Sequence, residues 1–187
     1  MWLWIPGSRF ARPGMTKRRK PVPDQKPYRP NVGIALFNRE GGVLIGRRFR
    51  GDGPEIILPG LEWQMPQGGV DEGENLRDAA MRELWEETGV TRADYLDETD
   101  WLAYEFPHYD GPPSHRLAKF RGQRQKWFAL RFTGRDDEID PLTPRKGQPA
   151  EFDAWRWERL ERVADLVVPF RRDVYRAVAQ RFAPFAR

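Results

Sequence analysis

Apolar and polar positions fall into blocks along the chain, and the blocks set the expected elements. Residues 31–38 (NVGIALFN) form an apolar, β-compatible run, and residues 42–49 (GVLIGRRF) form a second. Asn38-Arg39-Glu40-Gly41 between them supplies turn chemistry, so the pair is expected to fold as a hairpin. Residues 51–60 hold three glycines and two prolines around a short apolar piece, which reads as a loop. The spacing of apolar residues predicts a helix over 75–88, with Gly89 as its stop. Residues 100–106 and 126–132 read as strands. The Pro-, Gly- and charge-rich segment 107–123 between them reads as a long loop. Phe152, Ala154 and the flanking tryptophans make a strand of 151–157. Phe170, Val174, Val178 and Phe182, four residues apart, give a closing helix with one apolar face. Strands and helices mix without regular βαβ alternation, which favours an α/β or α+β fold with a mixed sheet.

Composition narrows the chemistry. The 187 residues suit one domain with a tail, and 39% hydrophobic residues with 13% aromatic are globular values. Cysteine is absent, which excludes disulfides, zinc–thiolate sites and thiol catalysis. With only His108 and His115 present, a metal would sit on carboxylates, which selects hard ions such as magnesium or manganese. No apolar run approaches the roughly 20 residues that span a bilayer, so a cytoplasmic protein without a membrane partner is expected. The net charge of +4 is unevenly placed. Residues 8–29 carry eight cations against Asp24 alone, a local +7, which leaves the remainder at −3. Residues 1–27 are therefore expected to be a basic, Pro-rich leader ahead of a domain over 28–187. The leader reads as an arm for nucleic-acid phosphates, a solvated disordered tail, or an extension from a start upstream of Met15.

The most informative stretch is residues 68–90, GGVDEGENLRDAAMRELWEETGV. At about 100° per residue, Glu83, Glu86 and Glu87 share an arc of roughly 100° on the predicted helix. Met81, Leu84 and Trp85 fall opposite, toward a core. Three like charges on one arc repel each other, and Arg82 offsets only part of that. The arrangement makes physical sense when divalent cations neutralise it. Gly68-Gly69 just upstream lets the backbone approach such ions, where a carbonyl can serve as a ligand. The competing reading is a solvated acidic helix face.

The surroundings decide between the two. Gly68, Glu74, Arg82, Glu83, Leu84, Glu86, Glu87, Gly89 and Val90 occupy every defined position of the Nudix box: glycine, five residues, glutamate, seven residues, then Arg-Glu-apolar-x-Glu-Glu-x-Gly-apolar. Outside the box, Tyr28-Arg29-Pro30-Asn31-Val32-Gly33, Arg47-Arg48-Phe49, Trp63-Gln64-Met65-Pro66-Gln67, Gln125-Lys126-Trp127-Phe128, Glu151-Phe152-Asp153-Ala154-Trp155 and the run from Val168 to Tyr175 are similar to bacterial RNA pyrophosphohydrolases. That group merges with the bacterial diadenosine-polyphosphate hydrolases. The resemblance covers about residues 28–182 and implies the Nudix fold, a mixed β-sheet sandwiched between helices.

It also implies roles. Glu83, Glu86 and Glu87 would bind magnesium, with manganese as the alternative, and position water. Gly68 would give a backbone carbonyl to a metal, and Glu151 would be a further ligand or base, against the alternative of an ordinary strand-edge charge. Arg29 and Phe170 would sandwich the first base of the substrate, although Phe170 also starts the apolar stripe of the last helix. Arg48 and Lys126 would contact phosphates, or be solvated charges beside strands. The implied reaction removes pyrophosphate from 5′-triphosphorylated RNA. The alternative splits a dinucleoside polyphosphate, diadenosine tetraphosphate, into ATP and AMP. The intact carboxylate set argues against a binding module without catalysis. The enzyme is expected as a monomer or weak homo-oligomer. Three departures bear on specificity: the loop 51–62 is long, Glu105 stands where relatives often carry a basic residue, and the loop 109–123 has its own sequence. Both loops are expected to border the substrate mouth.

Overall fold

The computed structural model describes residues 26–147 and 149–187, so the expectation for most of the leader lies outside the described residues. The strands are β1 (Tyr28–Phe37), β2 (Val43–Arg48), β3 (Trp63–Gln64), β4 (Gln67–Gly69), β5 (Ala93–Glu98), β6 (Leu102–Glu105), β7 (Gly122–Phe132) and β8 (Phe152–Glu158). The helices are α1 (Leu76–Thr88) and α2 (Arg172–Phe182), with short 3-10 turns before and after α2. The mixed sheet runs β3-β2-β1-β7-β5, with β4 also on β1, β6 on β7 and β8 on β2.

β1 carries the architecture. Its alternation sends Val32, Ile34 and Leu36 to one face and Ala35 and Phe37 to the other, all fully buried. The first set packs under α1 through Ala79, Ala80 and Leu84. The second packs under α2 through Val174, Tyr175, Val178 and Phe182, the stripe read from the sequence. Gly33 is required here, because a Cβ would lie 2.4 Å from the ring of buried Trp127 on β7. β1 and β7 run parallel, in register from Tyr28↔Gly122 to Phe37↔Arg131.

The β1–β2 hairpin forms as expected, turning through Gly41 at φ +80°, but the two strands pair only at Phe37↔Val43. Beyond that point β2 leaves to pair with β3 and β8, and β4 takes its place against Asn31, Val32 and Gly33. This divergence positions the site: the far end of β2 and the whole of β4 meet α1 there.

Several boundaries differ from the sequence reading. β7 starts at Gly122 instead of residue 126, because the inward-facing Gln123 and Gln125 are buried by hydrogen bonding and not by apolarity. β5 (ADYLDE) was unexpected: it is a polar edge strand with a register break between Tyr95 and Asp97. α2 begins at Arg172, after a 3-10 turn over Pro169–Arg171. Among the described residues no helix is long and apolar enough to cross a membrane.

Candidate active site

α1 is closed at both ends by local chemistry. The Asn75 side chain accepts from the Arg77 N–H (2.9 Å), and Gly89, left-handed at φ 77°, returns its N–H to the Trp85 carbonyl (2.9 Å). The helix therefore holds its acidic face in a fixed orientation toward β4. That face is not solvated. Glu83 and Glu87 are only 9% and 6% exposed, and with Glu86 they line one cleft of about 350 Å³. Glu151, just before β8, closes the opposite side, with Arg48 Nε 3.3 Å from its Oε1. The cleft has the size of a small-molecule site.

The loop before the helix is shaped around the carboxylates. A Cβ on Gly68 would lie 1.9 Å from the Glu83 carboxyl carbon, so only glycine lets this side chain rest against the backbone. The Gln67 N–H donates to Glu87 Oε2 (3.1 Å). Arg82 ties the box together: it donates to both oxygens of Glu74 (2.7 Å each), to Glu83 (2.7 Å) and to the Gly69 carbonyl (2.8 Å). Glu86 pairs with Lys146 Nζ at 2.5 Å.

The charges are unequally satisfied. Burial, then the charges of Glu151 and Glu83, pushes the Glu87 carboxyl well above the usual carboxylate range, against the Gln67 N–H that favours ionisation. Burial also raises Glu83, opposed by the Arg82 hydrogen bond. Glu74, outside the cluster, is the reverse: hydrogen bonding from Arg82 holds it down at about 2. The cleft therefore crowds Glu83, Glu86, Glu87 and Glu151 along one wall, and among the described residues Glu87 is the member that no arginine or lysine pairs with. Among the described residues no three acidic or histidine side chains already meet as an ion-holding group. Glu83, Glu86 and Glu151 instead lean on Arg82, Lys146 and Arg48. The glycine cradle and the raised carboxyls fit a hard divalent cation, which would draw these oxygens off their cationic partners.

Two of the four expected substrate contacts reach the cleft. Arg29 lines it, held so close to Gly69 that a Cβ there would meet its Nη2 at 2.1 Å. No carboxylate among the described residues pairs with Arg29. Arg48 lines it too, 5% exposed. Lys126 and Phe170 are not among the described residues that line it. Lys126 points to the other face of β7 from Gln125 and pairs with Glu98 (2.9 Å). Phe170 packs on Tyr104, ring centroids 5.6 Å apart, at the margin of the α2 core. The base sandwich of Arg29 with Phe170 is therefore not assembled in this structure.

Other residues of the cleft escaped the sequence reading. Glu55, from the long loop, is 7% exposed: its Oε1 accepts from Gln123 and Tyr104 and lies 3.1 Å from buried Arg171. Behind it, Gln125 lies within hydrogen-bond distance of Asn31 (2.8 Å) and Gln67 (2.9 Å). Asp52 pairs with His115 (3.0 Å) and Arg116, which fastens the two expected border loops to each other. The glutamines left a readable signal, polar residues at inward positions of a strand. Glu55 left none, because loops have no period.

A profile of the NUDIX domain matches residues 27–178. The chain belongs to the NUDIX family. It is a NUDIX hydrolase, acting on phosphoanhydride bonds. Enzymes of this family generally need divalent metal ions, in keeping with the fit of the cleft. The NUDIX chain is 51% identical over 162 residues to the RNA pyrophosphohydrolase of Azorhizobium caulinodans, covering 86% of this chain and 95% of that one. It is 49% identical over 166 residues to the RNA pyrophosphohydrolase of Caulobacter vibrioides, covering 88% and 91%. In fold it is similar to the Caenorhabditis elegans Ap4A hydrolase in its binary complex, with a TM-score of 0.54 at 18% identity over 83% of this chain and 98% of that one. It is also similar to the Escherichia coli dihydroneopterin triphosphate pyrophosphohydrolase, with a TM-score of 0.55 at 20% identity over 83% and 99%. At these identities the two structures speak for the NUDIX fold alone.

Proposed function

We propose that this enzyme removes pyrophosphate from the 5′-triphosphate end of RNA and leaves a 5′-monophosphate. The observation that carries the reading is one cleft in which the box carboxylates face Arg29, a guanidinium without a carboxylate partner among the described residues. About half-identity to RNA pyrophosphohydrolases over nearly their full length supports the same substrate. Arg29 and Arg48 hold the phosphates by charge-assisted hydrogen bonds. Glu83, Glu86, Glu87, Glu151 and the Gly68 carbonyl would hold the divalent ions, magnesium or manganese. When bound, those ions neutralise phosphate charge and acidify water. Glu87 is proposed to be among the carboxylates that position the attacking water, its Oε2 fixed by the Gln67 N–H. Arg82 keeps Glu74 and the Gly69 backbone in place while the reaction proceeds. Lys126 and Phe170, engaged elsewhere, are left out of this contact set. The reading places the enzyme in the cytoplasm with its RNA substrate.

The test is a paired hydrolysis assay. Wild type and Glu87→Gln receive 5′-triphosphorylated RNA and diadenosine tetraphosphate in parallel, with magnesium or manganese. Wild type is expected to convert RNA to the monophosphate faster, and the variant to lose roughly 10²- to 10⁴-fold, the scale on which a positioned carboxylate contributes. Strong preference for the dinucleotide, giving ATP and AMP, would remove RNA from the assignment and keep the reaction class.

A further inference from the structure

We propose that Phe49 and Arg50 form a landing for single-stranded RNA beyond its first nucleotides, on the outer rim of the cleft. The inference rests on the RNA reading and extends it to a second binding site. Residues 48–50 step outward from the cleft wall: Arg48 is buried beside Glu151, Arg50 lines the mouth, and Phe49 lies 42% exposed. The Arg50 guanidinium sits over the Phe49 ring, 4.7 Å from its centroid. No carboxylate among the described residues pairs with Arg50. A phenylalanine left in water contributes little to the core, and an arginine stacked on it with no anion is free to take one.

The rim that displays the pair is braced. Asp52 pairs with His115 and Arg116 across to the second loop, and Glu55 is locked between Gln123 and Arg171. A Cβ on Gly53, at φ +58°, would lie 2.4 Å from the His115 ring, so the loops are in close contact there. An aromatic face beside a guanidinium on a braced rim is the chemistry that takes a stacked base with its phosphate. Every base has a π-face, so the landing is indifferent to sequence. A dinucleoside polyphosphate has no chain to lay across it.

The experiment uses the full chain as wild type, Phe49→Ala, Phe49→Trp and Arg50→Ala. Steady-state constants are measured on 5′-triphosphorylated RNAs of two and of about ten nucleotides, and on diadenosine tetraphosphate. In parallel, binding of a fluorescent RNA of the longer length without a 5′ phosphate is followed by anisotropy in chelator. Phe49→Ala is expected to raise KM for the long RNA by about tenfold, the value of one base–aromatic stack. It should leave kcat, the two-nucleotide RNA and the dinucleotide within about twofold. Phe49→Trp should restore binding, and Arg50→Ala should weaken it and flatten its salt dependence. If wild type cleaves RNA and Phe49→Ala handles the long RNA as wild type does, the landing is refuted and the RNA reading stands. If the dinucleotide is preferred yet Phe49→Ala still weakens RNA binding, the RNA reading falls and the landing stands. If wild type neither cleaves nor binds the long RNA, both fall.

Discussion

Replacing Arg82 separates the structural from the catalytic use of the box. Its guanidinium makes four contacts of 2.7–2.8 Å, to both oxygens of Glu74, to Glu83 and to the Gly69 carbonyl, at 17% side-chain exposure. Breaking a buried pair by removing one partner costs roughly 3–5 kcal/mol. The residual exposure admits solvent screening, so the lower end applies, about 3 kcal/mol for Arg82→Gln. For a chain of this size that is a fall in Tm of roughly 6–12 °C. Arg82→Lys keeps the charge but presents a point where the site is built for a fork, so about half the loss remains. Urea unfolding followed by tryptophan fluorescence reads this directly, since Trp127 is fully buried in the core. Divalent ion should recover part of the loss, because removing Arg82 leaves Glu83 and Glu86 short of a counter-charge. If both variants unfold within about 0.5 kcal/mol of wild type, the range of a neutral surface change, Arg82 does not organise the box and the reasoning fails.

Two further outcomes follow from the same geometry. Gly68→Ala places a Cβ on the Glu83 carboxyl, so activity should fall by roughly 10²-fold, the scale of a 1 Å misplacement in an active site, while circular dichroism stays native; wild-type turnover in the variant would mean that Glu83 does not need its place against the backbone. Glu74 titrates at about 2 in the folded chain against an ordinary value of 4.5, so its contribution is fully present above pH 4.5 and is lost as pH falls toward 2; the stability difference between wild type and Glu74→Gln should shrink over that window in urea titrations, and a constant difference would contradict the ion pair.

What the sequence made legible is what obeys a period or a fixed spacing. The carboxylate face of α1, the turn at Gly41 and the stripe on α2 were readable because helix and hairpin geometry leave few alternatives. Burial of Glu83 and Glu87 was not: three acidic residues on one arc look solvated until β4 is known to fold over them. Lys126 and Phe170 lie outside the lining of the cleft among the described residues. Strand parity already separates Lys126 from Gln123 and Gln125, and it finds Glu98 on its own face of the sheet. Phe170 follows the stripe it begins and packs on Tyr104. β5 escaped because an edge strand need not be apolar. Glu55 escaped because its partners, Gln123 and Arg171, are brought to it only by tertiary structure.

The parallel ladder between β1 and β7 also governs when the cleft comes into being. Asn31 and Gln125, hydrogen-bonded behind the site, lie 94 residues apart in the chain. At ribosomal speeds of about 5–20 residues per second, β1 waits roughly 5–20 s for that partner. Until then the edge of β1 that β7 will pair is open, and an unpaired edge invites pairing with other nascent chains. Non-local pairing of this kind is slow to form and ends the assembly instead of starting it. A truncated chain that stops before residue 122 would hold the whole box, from Gly68 on β4 through α1, and still lack Gln123 and Gln125 behind the cleft. Hydrolytic competence is thus reserved for chains whose synthesis is well into its last third.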